Sequence, residues 1–179
     1  LLLRHAVQVF LIRHPKPVIE AGICYGRLDV DAHAPQTVAD QIKPLLPADV
    51  PVFSSPLRRA RQLAEALHPS PVIDQRLCEI DFGDWEGRAW NDIERSLLDA
   101  WAADVIGFTP PGGESVASLQ QRVIDFATSL EAQPAVALVA HAGVLRALVG
   151  HWQKLPVAEW TQLQFDFGSL TTLHIDHSL

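Results

Sequence analysis

The chain has 179 residues, 48% apolar and 20% charged. That is the length of a single domain of about 100–200 residues, and its balance is globular rather than disordered. Fourteen Lys and Arg against twenty-one Asp and Glu leave a net charge of −7 with no basic tract, which argues against nucleic acid or an anionic membrane surface as partner. An anionic ligand must then be held by a few local cations.

The opening Leu1–Ile12 run is apolar but broken by Arg4, His5 and Gln8. It has neither a cationic leader nor a small-residue cleavage site, so no secretory signal is expected. No stretch reaches the roughly 18 apolar residues of a membrane span. Two cysteines, Cys24 and Cys78, cannot frame a chain of this length with disulfides; buried inert thiols in a reducing cytoplasm are expected.

Val7 to Arg13 reads as a strand buried on both faces, because its apolar residues do not alternate with polar ones. A Pro-rich loop follows at Pro15-Lys16-Pro17, and a first helix is placed within Ala32 to Ala48. Pro51 to Ser54 is a short strand. Ala60, Leu63, Ala64 and Leu67 then mark one face of a helix expected to begin near Pro56, with Ser55-Pro56 as its cap. Val72 to Asp74 is another short strand, and Asn91 to Ala102 is read as helical. After the Gly107–Gly113 loop, Val116 to Leu130 has helical spacing. Ala135 to Ala140 is the strongest strand, followed by a helix marked by Leu145, Leu148, Val149 and Trp152. Leu170 to Ile175 is a last strand. Helices alternating with buried strands predict an α/β sandwich with a largely parallel sheet. The five tryptophans are assigned to core and loop packing.

In such sheets ligands bind beyond the carboxyl ends of the strands. There the chain places Arg13-His14, Ser54-Ser55 running into Arg58-Arg59, Glu79, and His141-Ala142-Gly143. The group suits phosphate. Arginine grips phosphate oxygens with parallel hydrogen bonds, and helix starts offer amides and positive dipole ends. A histidine among arginines is held neutral and nucleophilic, as phosphohistidine chemistry requires. Glu79 is the candidate proton donor to the leaving alkoxide. Taken singly, each residue has a plainer reading: a hydrogen-bonded strand-end histidine, a solvated arginine face at Arg58, Arg59 and Arg61, an idle glutamate. His174 and His177 complete no metal-ligand pattern and are read as surface residues.

Together the motifs resemble the histidine phosphatase superfamily, with its phosphoglycerate-mutase-like fold. Leu11-Ile12-Arg13-His14 resembles its first-strand signature and Ser54 to Ala64 its second, in which the phosphate-contacting arginine falls on Arg59. Leu77 to Gly87 resembles the proton-donor segment, Pro111 to Ser115 the loop before the next helix, and Val139 to Arg146 the second-histidine motif. The resemblance implies a three-layer α/β/α sandwich formed by one domain over residues 1–179. It makes His14 the phosphorylated nucleophile. Arg13, Arg59 and His141 become the phosphate pocket, and Glu79 the proton donor and later base. It implies no metal, no organic cofactor and a cytoplasmic location. An α-ribazole-phosphatase-like branch is suggested by Cys24-Tyr25-Gly26-Arg27-Leu28-Asp29, with Tyr25 and Gly26 as further substrate-binding candidates, and by Gly83 to Gly87. The expected partner is thus a small phosphomonoester, α-ribazole 5′-phosphate leading; oligomerisation is compatible but has no argument behind it.

Pro15 stands where the family usually has glycine and removes one backbone N–H. The alternatives are a phosphatase of broader or different specificity, a mutase-like enzyme and a phosphate-binding module without turnover. The last is disfavoured because all five chemical residues are retained. A metal-dependent phosphatase would need clustered Asp and His ligands, which the sequence does not offer.

Overall fold

Residues 5–177 are described by a computed structural model, apart from the side chains of His5 and His177. The opening Leu1–Arg4 segment and the surface reading of His177 therefore lie outside the described residues.

Alternation along the two central strands builds the layers. In β1 (His5–Arg13), Val7, Val9 and Leu11 face one side, while Phe10 and Ile12 face the other. In β4 (Ala135–Ala140), Val136, Leu138 and Ala140 join the first set and Ala137 and Val139 the second. Both faces are apolar, so both must be covered. One is covered by α1 (Pro35–Ile42) and α2 (Arg58–Leu67), which pack through Ala39, Ile42, Ala60, Leu63 and Leu67. The other is covered by α4 (Val116–Ser129) and α5 (Ala142–Trp152), through Leu119, Val123, Phe126, Leu145 and Leu148. The result is the expected three-layer α/β/α sandwich.

The five strands run in the order β3-β2-β4-β1-β5, with β2 at Val52–Ser54, β3 at Val72–Ile73 and β5 at Leu170–His177. All neighbours are parallel except β5, which lies antiparallel on the β1 edge. Register brings three strand ends together. Arg13 pairs with Ala140 and Ser54 with Val139, so His14, Ser55 and His141 are the next residue out on three adjacent strands.

Two sequence expectations need correction. The Asn91–Ala102 helix is a 3₁₀ turn at Trp90–Asp92 followed, after a break, by α3 (Arg95–Ala103). The α2 cap is not Ser55: the helix begins at Arg58 with Leu57 at the N-cap. The reason is that the Ser55 hydroxyl is engaged elsewhere, accepting the Leu57 N–H at 3.2 Å and meeting His141 Nε2 at 2.8 Å. The first helix occupies only Pro35–Ile42, entered through Ala34 at a positive φ of 44°. Both cysteines are free and buried.

The tryptophans pack as expected, with one addition. Trp85, Trp90 and Trp101 form an aromatic cluster with Phe82 and Phe108 over the sequence 82–108. Trp101 and Trp160 also wall a cavity, a role the sequence did not disclose.

Candidate active site

His14 is 2% exposed. Its Nδ1 lies 2.6 Å from the Pro15 carbonyl oxygen. A carbonyl only accepts, so Nδ1 carries the hydrogen and Nε2 keeps its lone pair. Pro15, which has no N–H to offer, thus fixes the neighbouring imidazole through its oxygen. Burial first, and then the Arg59 charge, pull the His14 pKa down to about 3, so the ring is neutral across the physiological range.

Arg59 is completely buried in the first turn of α2. It donates from Nη1 to the Leu28 carbonyl at 2.8 Å and from Nη2 to the Gly26 carbonyl at 2.6 Å. Arg58, next to it, points outward and pairs with Asp29 and Asp31 instead. Arg13 donates from Nη1 to the Phe165 carbonyl at 2.6 Å, and the Phe167 ring lies 4.0 Å from its guanidinium carbon. His141 is fully buried, its ring centroid 5.1 Å from that of His14. Burial, and then Arg59, hold its pKa well below the usual histidine value.

Three of these four side chains share a deficit. Among the described residues five buried side-chain nitrogen or oxygen atoms have no partner, and three of them are Arg13 Nε, Arg59 Nε and His141 Nδ1. Orphaned buried polar atoms are rare and costly. Three in one cluster mark a place where an external acceptor belongs. Ser55 Oγ accepts the Leu57 N–H, and when its own hydrogen is directed at His141 Nε2 the imidazole hydrogen of His141 falls on the orphaned Nδ1.

Glu79 sits beside this nest, half-buried. Its Oε1 accepts the Ile80 N–H at 2.9 Å and its Oε2 accepts the Gly143 N–H at 3.1 Å, at the start of α5. The Gly143 amide, expected to face phosphate, is therefore spent on Glu79. Arg27 and Arg122 both donate to the Glu79 carbonyl, at 3.0 and 3.1 Å, and clamp its backbone. A Cβ at Gly143 would collide with Glu79 Oε1. Gly143→Ala should therefore displace the carboxylate and lower kcat by about 10–100-fold with the fold retained, as steady-state kinetics beside circular dichroism would show.

Tyr25 lies against Arg59, ring centre to guanidinium carbon 5.1 Å, and lines a cavity together with Glu79. Gly26, a predicted substrate contact, instead has both backbone groups engaged: its carbonyl holds Arg59 and its N–H donates to Glu86 Oε2 at 2.9 Å. A side chain there would collide with the Ile80 carbonyl. Glu86 is the residue that sequence reasoning missed. Its carboxylate accepts the N–H groups of Gly26, Arg27, Leu28 and Phe82 and so shapes the loop that carries the Arg59 acceptors. No periodicity announces such a role, because the loop's demand for an acceptor exists only once it is folded.

The cavity has a volume of about 240 Å³. It is lined by Tyr25, Glu79 and Gly143 together with residues of α4, α5, the α3 end and the short α6 (Val157–Trp160). Among the described residues no three His, Cys, Asp or Glu side chains cluster as a metal site requires, and no helix is long and apolar enough to cross a membrane.

The sequence profile of the histidine phosphatase superfamily (branch 1) matches residues 9–179. The chain belongs to that superfamily. It is 32% identical over 181 residues to the glucosyl-3-phosphoglycerate phosphatase of Mycolicibacterium vanbaalenii, covering 87% of this chain and 78% of that protein. It is also 28% identical over 134 residues to the adenosylcobalamin/alpha-ribazole phosphatase of Salmonella typhimurium, covering 69% and 66%. A solved Escherichia coli structure, described as a candidate alpha-ribazole-5′-P phosphatase, superposes with a TM-score of 0.86 at 25% identity, over 94% of this chain and 90% of that one. The protein is a phosphatase of this superfamily.

The neutral histidines have a consequence for folding. In the window from about 6.5, where a free histidine titrates, down to about 3, the unfolded chain binds a proton that folded His14 refuses. Stability therefore falls as pH drops through that window and is regained as pH rises. Unfolding midpoints measured from pH 7 to pH 4 should fall less steeply in His14→Asn than in the parent; equal slopes would overturn the assignment.

Proposed function

We propose that the protein hydrolyses small phosphomonoesters through a phosphohistidine at His14, with α-ribazole 5′-phosphate as its leading substrate. The observation that carries this reading is the set of three orphaned N–H groups of Arg13, Arg59 and His141 around an imidazole whose Nε2 holds a free lone pair. Three buried donors without acceptors suit the equatorial oxygens of a transferring phosphoryl group.

Nε2 of His14 attacks phosphorus as the ester P–O bond breaks. Glu79, in its acid form, gives its proton to the departing alkoxide. A water then enters, Glu79 takes its proton, the oxygen bonds to phosphorus and the P–Nε2 bond breaks, releasing inorganic phosphate. Arg13, Arg59 and His141 donate to the phosphoryl oxygens in both steps. Tyr25 lies against Arg59 and faces the leaving group. The two free cysteines, buried and without a disulfide, support a reducing, cytoplasmic setting.

Phosphate release from α-ribazole 5′-phosphate, compared with phosphoserine, 3-phosphoglycerate and glucosyl-3-phosphoglycerate with a chelator present, tests the substrate. A clear kcat/KM preference for α-ribazole 5′-phosphate is expected. Unselective hydrolysis would withdraw that substrate and keep the chemistry; no release from any ester would overturn both.

A further inference from the structure

The ester oxygen of a phosphoryl group in the His14 nest must face Glu79, so the alcohol half lies where Glu79 opens outward, in the 240 Å³ cavity. That cavity holds roughly eight water volumes at about 30 Å³ each, enough for a ring system. Phe82, Trp101, Val116, Leu119 and Trp160 give it apolar, largely aromatic walls. Trp101 is held stiffly, stacked on Trp90 at 5.8 Å and 9°.

One charge interrupts those walls, at Arg146, which is half-buried and stands one helical turn beyond Gly143 on α5. Its Nε donates to the Leu163 carbonyl at 2.7 Å, which fixes the plane of the guanidinium. Among the described residues no carboxylate lies within ion-pair distance of it, and its terminal nitrogens have no hydrogen-bond acceptor. A guanidinium held in plane beside apolar walls, with its terminal N–H groups free, presents donors to an acceptor on a ligand.

We infer that Arg146 is a specificity-determining residue for the leaving group: it selects alcohols with an apolar ring body and an acceptor atom three residues, about 4.5 Å along α5, from the proton-transfer site. This rests on the phosphatase reading above and adds a substrate class to it. Alcohols without a ring leave the aromatic walls unfilled. A ring without an acceptor leaves Arg146 unmet.

Three esters separate these terms: α-ribazole 5′-phosphate carries ring and acceptors, phenylethyl phosphate a ring alone, glycerol 3-phosphate no ring. In Arg146→Leu the KM for α-ribazole 5′-phosphate should rise roughly tenfold or more with kcat changed much less, whereas the other two esters lose clearly less. Arg146→Gln, which keeps a donor, should recover part of the loss. Titration of the unmodified protein with α-ribazole itself needs no variant and should quench tryptophan fluorescence, because Trp101 and Trp160 wall the cavity. Equal losses on all three esters, or no quenching, would overturn the inference. If the parent protein hydrolyses none of the esters, the phosphatase reading fails by itself, and the titration still decides whether the cavity receives the alcohol.

Discussion

His14→Ala should lose at least ~10⁴-fold in kcat/KM on every phosphomonoester, the scale on which removal of a covalent nucleophile is felt. No other group replaces it: His141 is tied to Ser55, and the nearby arginines are donors only. The backbone of residue 14 survives the change, since its N–H still bonds to Ala140 and its carbonyl still accepts from Gly168. The variant should therefore keep its far-ultraviolet circular dichroism. Acid-labile, alkali-stable label should be trapped on the parent protein from ³²P-labelled substrate and be absent from the variant. Substantial turnover in a folded variant would remove the phosphohistidine from the mechanism.

Glu79→Gln isolates the proton. Glutamine retains the length and an acceptor oxygen, so the Ile80 and Gly143 bonds can in part persist, but it has no carboxylic proton to give. Alkyl esters, whose alkoxides leave poorly, should slow by about 10²–10⁴-fold, and aryl phosphates much less. The same side chain deprotonates water in the second step, so the phosphohistidine should accumulate with aryl substrates and show as a burst in rapid-quench experiments. Equal losses on alkyl and aryl esters, without a burst, would remove Glu79 from proton transfer.

The layer architecture was legible because the apolar runs of β1 and β4 state that both faces are buried, and a sheet buried on both faces needs helices on each. The convergence of His14, Ser55 and His141 was legible from the rule that loops at strand carboxyl ends gather the ligand. Less legible were the helix starts. Ser55-Pro56 carries a capping signature that the fold overrides, since His141 recruits the same hydroxyl across 86 residues of sequence. Arg58 and Arg59 are chemically identical in the sequence, and the superfamily motif distinguishes them; in space the difference is that one is buried against two carbonyls and the other paired with surface carboxylates.

The sequence by itself determined the fold class, the parallel core and five candidate residues of three types, His, Arg and Glu, suited to chemistry on phosphate, because periodicity and strand-end position are local properties of the chain. Only the tertiary structure decided which nitrogen of His14 is free, which buried donors lack acceptors, and that Glu86 shapes the loop behind Arg59. It also decided that Trp101, Trp160 and Arg146, from three separate elements, wall one cavity beside Glu79. Those are properties of distance between residues far apart in sequence, and hydrogen-bond satisfaction is settled only when every partner has its place.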